Sequence, residues 1–429
     1  WLQAIILLFS DSDLALRIMP GLLFGLSCLA LHQVTYTLFP HKTPWLGFIS
    51  VVLLQSGVMF QLIGLSMLPD DPLLLLGLLT ILVLHQMLNS DRLWLWLALG
   101  IVLGLAGLSK YTAVTLVATV LLVVVHEGKF LNRMRTAGPW IAMLAGFILI
   151  TPVLYWNYTH DWISFAYQLN HGTGNPDWKP TNFLLSQIAQ LLAYGPGIFV
   201  FGVIAAVAGL KNWRDQGVWM CLALALPVLF LFGWNSGYQM TLPHWASLGW
   251  AGLIPLIAIW VSDAWGQRWV RISIWASGIY ASLLIVIIFS QFFLAWLPLS
   301  DNRDPLRDLY GWEQAAQRAV ELRAEMANTS GTEPILFSEY WTEASRLGWY
   351  ARPHIVQVMD ERFDQFDIWF DSPQQGARGI LVSWPEQRAP VTGGKGQFAE
   401  CVLRDTLPIS SNGHEVSTFS YYACHEFQN

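Results

Sequence analysis

The stretch Leu68-Pro69-Asp70-Asp71-Pro72 precedes an apolar run over residues 73–84 and places two adjacent carboxylates at its start. The run is typical of a membrane-spanning helix, where a charge near the bilayer centre costs roughly 2.5–3.5 kcal/mol. Pro72 suits the first helical turn and Asp71 suits the N-cap before it, so Asp71 has a structural explanation. Capping uses one carboxylate, which leaves Asp70 as a candidate functional residue.

The composition of the whole chain is that of a polytopic α-helical membrane protein. Of its 429 residues, 54% are hydrophobic and only 12% are charged, whereas soluble domains carry about 25% charged residues. No basic patch indicates a nucleic-acid partner. Most of the apolar runs approach the roughly 20 residues that a bilayer requires. We expect ten spans, at residues 18–38, 44–66, 72–88, 93–109, 112–126, 137–155, 183–209, 216–233, 243–262 and 270–297.

The basic residues of the loops predict the orientation, because Lys and Arg are enriched on the cytoplasmic side. If the loop that holds Asp70 faces outward, nine basic residues fall in inward loops and three in outward loops before the last span. This bias predicts that Asp70, and the segment after the last span, lie on the non-cytoplasmic face of the membrane. The inward residues are Lys42, Arg92, Lys129, Arg133, Arg135, Lys211, Arg214, Arg268 and Arg271, and the outward ones are Arg17, Lys110 and Lys179.

The composition changes after residue 297, which divides the chain into a multi-span domain (1–297) and a small α/β domain (298–429) on the outer face. Residues 311–327 have the pattern of an amphipathic helix. Strand-like runs follow at residues 334–337, 354–359, 367–370, 379–384, 399–404 and 418–422.

The four cysteines fall into two groups. Cys28 and Cys221 lie in apolar spans, where they are expected to be packing residues. Cys401 and Cys424 lie on strand-like segments of the second domain, and a disulfide between them is expected if that domain faces an oxidising compartment.

Acidic, basic and aromatic residues in the outward loops suit a substrate with a lipid tail and an anionic head. Lys110 opposes the charge bias and could neutralise a lipid phosphate, or it could be a snorkelling interfacial lysine. Asp70 could be a general base, a carboxylate that orients the base, or a metal ligand. Adjacent residues do not face each other along an element, so His160 and Asp161 are not inferred to form a dyad. The roles of Tyr238 and His244 stay open at this point.

Four motifs in these loops resemble the bacterial branch of the glycosyltransferase 39 family, which is related to protein O-mannosyltransferases and the lipid A aminoarabinose transferase. The order of the motifs matches that branch, and so do two segments of the C-terminal part, namely Asp304-Pro305 with Gly311-Trp312, and residues 363–369. The four motifs are Pro69-Asp70-Asp71-Pro72-Leu73, Gly107-Leu108-Ser109-Lys110-Tyr111-Thr112-Ala113, residues 156–165 and Leu242-Pro243-His244-Trp245.

The resemblance implies a type-C glycosyltransferase fold and transfer of a sugar from a polyprenyl-phosphate carrier to a lipid, protein or glycan acceptor on the outer face. Asp70 matches the acid of the family's Pro-Asp-x-Pro loop and is the catalytic candidate, and Lys110 matches its span-end lysine. The expected substrate-binding residues are Lys110, Tyr111, Asp71, His160, Asp161, Tyr238 and His244. No cofactor is required, because the energy lies in the donor's phosphoester, although Asp70 and Asp71 could hold a divalent ion.

Family members usually carry an acidic pair in the first outward loop, and this sequence begins within what resembles the end of that loop. We therefore expect the principal catalytic acid to precede Trp1. The main alternative function is a transporter or flippase for a lipid-linked or small polar substrate. A non-catalytic scaffold is a further alternative, which would explain the second domain but not Asp70 and Lys110.

Overall fold

The computed structural model describes residues 2–90, 92–173, 177–297, 307–330, 333–384 and 395–428. The chain forms two compact units, Trp1–Ile285 and Val286–Asn429. The boundary lies inside the last apolar helix, earlier than the expected boundary at residue 297.

The first unit consists of helices, with short 3-10 turns at Tyr111–Ala113 and Pro243–Ala246. The last of these helices continues into the second unit. The helices are α1 (Leu2–Leu7), α2 (Ala15–Leu38), α3 (Leu46–Gln55), α4 (Val58–Ile63), α5 (Asp70–Asn89), α6 (Leu93–Ser109), α7 (Val114–His126), α8 (Phe130–Met134), α9 (Ala137–Thr159), α10 (Ile163–Thr173), α11 (Pro180–Tyr194), α12 (Pro196–Lys211), α13 (Gln216–Asn235), α14 (Ser247–Asp263) and α15 (Arg268–Leu294).

Within the described residues, six helices are long and apolar enough to cross a membrane, or seven if the bent pair α11–α12 is one span. Three shorter apolar helices match the predicted spans at 44–66, 93–109 and 112–126. The protein is therefore a multi-pass membrane protein, but the expectation of ten continuous spans is wrong in two places.

The predicted spans 44–66 and 183–209 are each broken at a glycine. The first divides into α3 and α4 at Gly57, whose extended backbone interrupts the helix. The second bends by 113° between α11 and α12. Gly195 at this bend has a φ of 85°, a conformation that other residues rarely adopt, and Pro196 lacks the N–H that would continue the first helix.

Small residues allow the helices of the first unit to pack closely. A Cβ on Gly100 of α6 would lie 2.3 Å from the carbonyl oxygen of Ala142 on α9, and one on Gly252 of α14 would lie 3.1 Å from the nitrogen of Ala225 on α13. Van der Waals contact of this kind drives helix association in lipid. The core helix is α14, for which 78% of the most apolar stretch is buried, whereas the value for α15 is 6%.

The second unit is an α/β domain whose five-stranded sheet has the order β2-β1-β3-β5-β4. Strands β2, β1 and β3 are parallel, and β5 is antiparallel to both of its neighbours. The elements are α16 (Trp312–Ser330), β1 (Ile335–Ser338), α17 (Trp341–Tyr350), β2 (Val356–Val358), α18 (Gln365–Phe370), β3 (Gly379–Ser383), β4 (Gln397–Ser411) and β5 (His414–Gln428).

One predicted strand of this unit is wrong. Residues 367–370 belong to helix α18, which starts with a capping box: the Asp364 side chain accepts from Phe366 N, and the Asp367 side chain accepts from Asp364 N. This reciprocal capping stabilises the first turn of a helix. The capping by Asp364 and Asp367 favours a helix here, although the aromatic residues of the segment are typical of a strand.

The sheet is covered by apolar residues on both faces. Leu336, Ile380 and Tyr421 pack towards α16 and α17, and Phe337 and Leu381 pack on the opposite face. A disulfide joins Cys401 to Cys424, which are partners in the β4–β5 register. Cys28 and Cys221 are free and buried.

Candidate active site

A buried ion pair joins the start of α5 to the end of α6. The Lys110 Nζ donates to Asp70 Oδ1 at 2.7 Å, with 2% of the Asp70 side chain and 17% of the Lys110 side chain exposed. The neighbouring Ser109 Oγ donates to the carbonyl of Pro69 at 2.7 Å, which ties the two helix ends together. A buried carboxylate is costly unless it is paired. The pairing explains how Asp70 is tolerated and why Lys110 is not a simple snorkelling lysine.

The second carboxylate oxygen of Asp70 faces His244. The distance from His244 Nε2 to Asp70 Oδ2 is 4.0 Å, which is beyond a hydrogen bond. Within the described part of the chain, no group donates a hydrogen bond to this oxygen. Asp70 therefore has one paired oxygen and one buried oxygen without a donor among the described residues.

Residues of α11 and α14 fix the turn that carries His244. The carbonyl of Pro243 accepts from Tyr194 Oη at 3.0 Å and from Gln190 Nε2 at 3.4 Å. Gln190 in turn accepts from Trp250 Nε1 at 2.9 Å. Both Tyr194 and Gln190 are buried, so the histidine is placed by a packed polar network. Sequence analysis did not single out either residue, because neither is ionised at neutral pH.

Asp71 does not cap α5, and that expectation is wrong. The helix begins at Asp70, Pro69 occupies the N-cap position, and no side chain caps the helix. The Asp71 side chain is 1% exposed, and neither carboxylate oxygen has a hydrogen-bond partner among the described residues. Such a group is costly unless a proton or a ligand neutralises it.

Tyr111, which directly follows Lys110 in the sequence, belongs to a separate polar cluster. Its hydroxyl lies 2.6 Å from Ser164 Oγ and accepts from Asn157 Nδ2 at 3.3 Å. Ser164 Oγ donates to Asn157 Oδ1 at 2.7 Å, so the Tyr111 hydroxyl is left to donate to Ser164. Asn157 is fully buried. The cluster links the turn after α6 to α9 and α10, and the neutral residues Asn157 and Ser164 were not predicted as site residues.

His160 and Asp161 have separate surroundings in the structure. The His160 ring stacks on Trp156 at 4.2 Å, and its Nδ1 is bonded to the Trp156 carbonyl at 2.8 Å. Asp161 is exposed and has a φ of 51° at the corner between α9 and α10. The contacts described for His160 therefore hold it at the end of α9, not at Asp70.

Tyr238 lies in the turn after α13. Its carbonyl accepts from Asn182 Nδ2 of α11 at 3.5 Å. Among the residues that the structure describes, no three His, Cys, Asp or Glu side chains form a group suited to a metal ion. The structure thus brings Asp70, Lys110 and His244 together, with Asp71 and Tyr111 next to them in sequence.

Comparison with known proteins tests the family resemblance that the sequence motifs suggested. Residues 1–156 match the family described as dolichyl-phosphate-mannose-protein mannosyltransferase. The resemblance to the glycosyltransferase 39 family is therefore confirmed over residues 1–156. The matched part contains Asp70, Asp71, Lys110 and Tyr111. Of the tail segments that carry the resemblance, Asp304-Pro305 lies outside the described residues.

The fold matches that of a known type-C glycosyltransferase. The crystal structure of ArnT from Cupriavidus metallidurans bound to undecaprenyl phosphate gives a TM-score of 0.58 at 13% identity, covering 98% of this chain and 86% of that one. The apo form gives 0.53 at 13% identity, covering 89% and 81%. No curated protein matches the chain. These matches establish a type-C glycosyltransferase fold with a small C-terminal α/β domain.

Proposed function

We propose that the protein is a membrane glycosyltransferase that moves a sugar from a polyprenyl-phosphate donor to a lipid, protein or glycan acceptor. We further propose that it works on the periplasmic face of the bacterial inner membrane. This orientation is predicted from the basic residues of the loops, whose bias favours the start of α5 on that face. The observation that carries the proposal is the buried Asp70–Lys110 pair, in which one carboxylate oxygen has no donor among the described residues.

The proposed reaction is a displacement at the anomeric carbon with inversion. A carboxylate takes the proton of the acceptor hydroxyl, the acceptor oxygen forms a bond to the anomeric carbon, and the bond from that carbon to the phosphate oxygen breaks. The bonding electrons leave with the lipid phosphate. Within the described residues, Asp70 Oδ2 is our candidate for the proton acceptor, because it is buried, unpartnered and 4.0 Å from His244.

Lys110 has the complementary task. The leaving phosphate gains negative charge, and a fixed cation at that position stabilises the transition state. Asp70 holds the ammonium group in place before the phosphate arrives. We also assign donor binding to Tyr111, because it directly follows Lys110 in the sequence and the Asn157–Ser164 cluster fixes its hydroxyl.

Two comparisons support a polyprenyl-phosphate donor. The matched family is named for a dolichyl-phosphate sugar, and the similar ArnT structure contains undecaprenyl phosphate. Both are polyprenyl phosphates, so the proposal requires no nucleotide-binding loop. The multi-pass helices anchor the protein in a membrane, which is where a polyprenyl-phosphate carrier is held.

A transporter or flippase is the second candidate, and one observation favours it. Helices α11 and α12 form a pair bent by 113°, and broken helices commonly line transporter binding sites. Tyr194 and Gln190, which position His244, lie in the first of these helices. The bent pair is therefore also explained by the glycosyltransferase proposal, in which α11 positions the turn that carries His244.

The test is sugar transfer in membranes that contain the full-length protein and a radiolabelled polyprenyl-phosphate sugar. We expect Asp70→Asn and Lys110→Ala each to abolish most transfer at normal protein abundance. Lys42 and Asp263 form an exposed ion pair with a distance of 2.7 Å, so Lys42→Ala and Asp263→Asn are matched controls that should retain transfer. Full transfer in both site variants would show that the Asp70–Lys110 pair takes no part in the reaction. Flipping or uptake of the lipid-linked sugar without transfer would establish the transporter alternative.

A further inference from the structure

A long apolar groove of about 420 Å³ runs along helices α6, α7 and α9 of the first unit. Trp96 and Leu99 of α6 are buried in its wall, whereas Leu121 of α7 and Phe147 of α9 are about half exposed. Because these helices belong to a multi-pass membrane domain, the exposed apolar sides of the groove face lipid.

The length of the groove matches the depth of one leaflet of a bilayer. Its lining residues on α9 extend from Pro139 to Ile150, a distance of about 16 Å at 1.5 Å per residue. The hydrocarbon core of a bilayer is about 30 Å thick, so one leaflet contributes about half of that. The groove therefore has the length of a phospholipid acyl chain.

One end of the groove lies far along α6 from the candidate active site. Trp96 is near the start of this helix, whereas Lys110, the partner of Asp70, follows its last residue. The interval from Trp96 to Lys110 corresponds to about 21 Å along the helix axis. The basic residues of the loops predict that this end of the groove lies on the cytoplasmic side.

Two exposed basic residues flank this end of the groove. Lys129 directly precedes Phe130 and Arg135 directly follows Met134, and both Phe130 and Met134 line the groove. The exposed indole of Trp140 donates to the carbonyl of Met134 at 3.2 Å. Because tryptophan is enriched at membrane–water interfaces, Trp140 is expected to place this turn at the level of the lipid head groups.

The segment at this end carries an excess of positive charge. Residues 127–135 contain three basic side chains and one acidic side chain, Glu127, which leaves a net charge of +2. Glu127 accepts two hydrogen bonds from the buried Arg133. Lys129 lies 3.3 Å from the same carboxylate, but 63% of its side chain is exposed. Lys129 and Arg135 can therefore reach an anionic group at the membrane surface.

We propose that the groove binds an acyl chain of an anionic phospholipid, whose head group is held by Lys129 and Arg135. Basic residues beside pockets between membrane helices bind anionic head groups in this way. Binding involves no chemical step and goes beyond the proposed transferase function, because it requires neither Asp70 nor a sugar donor.

The test is photo-crosslinking of the full-length protein in phosphatidylcholine nanodiscs that contain a trace of a lipid with a diazirine on its acyl chain. Phosphatidylglycerol and phosphatidylcholine probes with the same chains differ only in their head groups. We expect the phosphatidylglycerol probe to label residues 117–124 and 139–150 about fivefold or more above the phosphatidylcholine probe, as located by peptide mass spectrometry. Lys129→Gln/Arg135→Gln should abolish this preference, since one basic residue near the surface contributes roughly fivefold.

The control variant is Arg268→Gln/Arg271→Gln, which removes two exposed basic residues that do not line the groove and should keep the preference. Asp70→Asn should also keep it, even if transfer is lost, so the failure of one proposal can be distinguished from the failure of the other. Equal labelling by both probes would show ordinary lipid contact only and would overturn the proposal. A preference that survives in Lys129→Gln/Arg135→Gln would overturn it as well, and so would displacement of the phosphatidylglycerol probe by a polyprenyl phosphate, which would assign the groove to the tail of the donor.

Discussion

Two buried ion pairs lie near opposite ends of α5 and differ in how completely they are satisfied. At the start of the helix, Asp70 uses one oxygen for Lys110 and leaves the other without a donor among the described residues. Near its end, the carbonyl of Met87 accepts from Arg133, which also donates twice to Glu127 at 2.6 and 2.7 Å. The second pair is bidentate and saturated, which is the geometry of a structural contact.

This difference assigns a functional role to the Asp70–Lys110 pair and a stabilising role to the Glu127–Arg133 pair. A carboxylate with a spare oxygen is costly to the fold, so its presence calls for an explanation in terms of a substrate or a proton. A saturated pair needs no such explanation. The comparison therefore predicts that substitutions at the two ends will affect different measurements.

The largest expected effect is on transfer, at the Asp70–Lys110 end. Asp70→Asn and Lys110→Met should each lower the rate of sugar transfer by about 10²–10⁴-fold, the usual range for loss of a positioned acid or base. Because the residues act as a unit, the double variant should lose little more than either single variant. Radiolabel transfer in membranes measures all three, and losses that multiply in the double variant would show that the residues act independently.

The next effect is on stability, at the Glu127–Arg133 end. Glu127→Gln removes the carboxylate that accepts twice from Arg133 and should cost about 1–3 kcal/mol in the free energy of unfolding. Glu127→Gln/Arg133→Met should cost less than the sum of the single variants. Unfolding in detergent measures the loss, and transfer per folded molecule should stay normal. A loss of transfer with unchanged stability would reverse the roles assigned to the two pairs.

The pH dependence of stability sharpens the same contrast. Burial raises the pKa of Glu127, but the hydrogen bonds and charges of Arg133 and Lys129 outweigh it and lower the pKa below its usual value. The pair therefore stabilises the folded state fully above the unfolded-state pKa of about 4.3. This stabilisation is lost as the pH falls through the lower folded-state value. The difference in melting temperature between wild type and Glu127→Gln should narrow at acidic pH, whereas a constant difference would contradict this account.

The smallest effect is expected from Tyr111→Phe. The substitution removes a hydroxyl from the Asn157–Ser164 cluster and should cost about 0.5–1.5 kcal/mol, equivalent to a severalfold loss of donor affinity or transfer. Tyr158→Phe is a suitable control, because Tyr158 is 71% exposed. Equal effects of the two substitutions on the KM for the donor would argue against a role for Tyr111 in binding.

The sequence was sufficient to predict the membrane class, and it singled out Asp70 and Lys110, which the structure brings into contact. Asp70 and Lys110 stand out because ionised residues beside apolar runs are rare. Hydropathy does not detect the breaks at Gly57 and Gly195, because a glycine in an apolar run leaves the average nearly unchanged. The assignment of Asp71 as a cap failed because the helix begins at Asp70, two residues earlier than the prolines suggested.

Neutral polar residues account for most of what the sequence analysis missed. Asn157, Ser164 and Gln190 carry no charge, and their importance depends on partners that are distant in sequence. A charged residue in an apolar stretch can be recognised from the sequence alone, whereas a hydrogen-bond network can be recognised only once the fold is known.

Helix α15 has 27 residues and is almost unburied along its most apolar stretch. It is longer than the roughly 20 residues that cross a bilayer at right angles, so it must tilt or extend beyond the hydrocarbon layer. Because few protein neighbours hold it, hydrophobic mismatch with the surrounding lipid sets that tilt. Bilayer thickness is therefore expected to change the orientation of α15 far more than that of the buried α14.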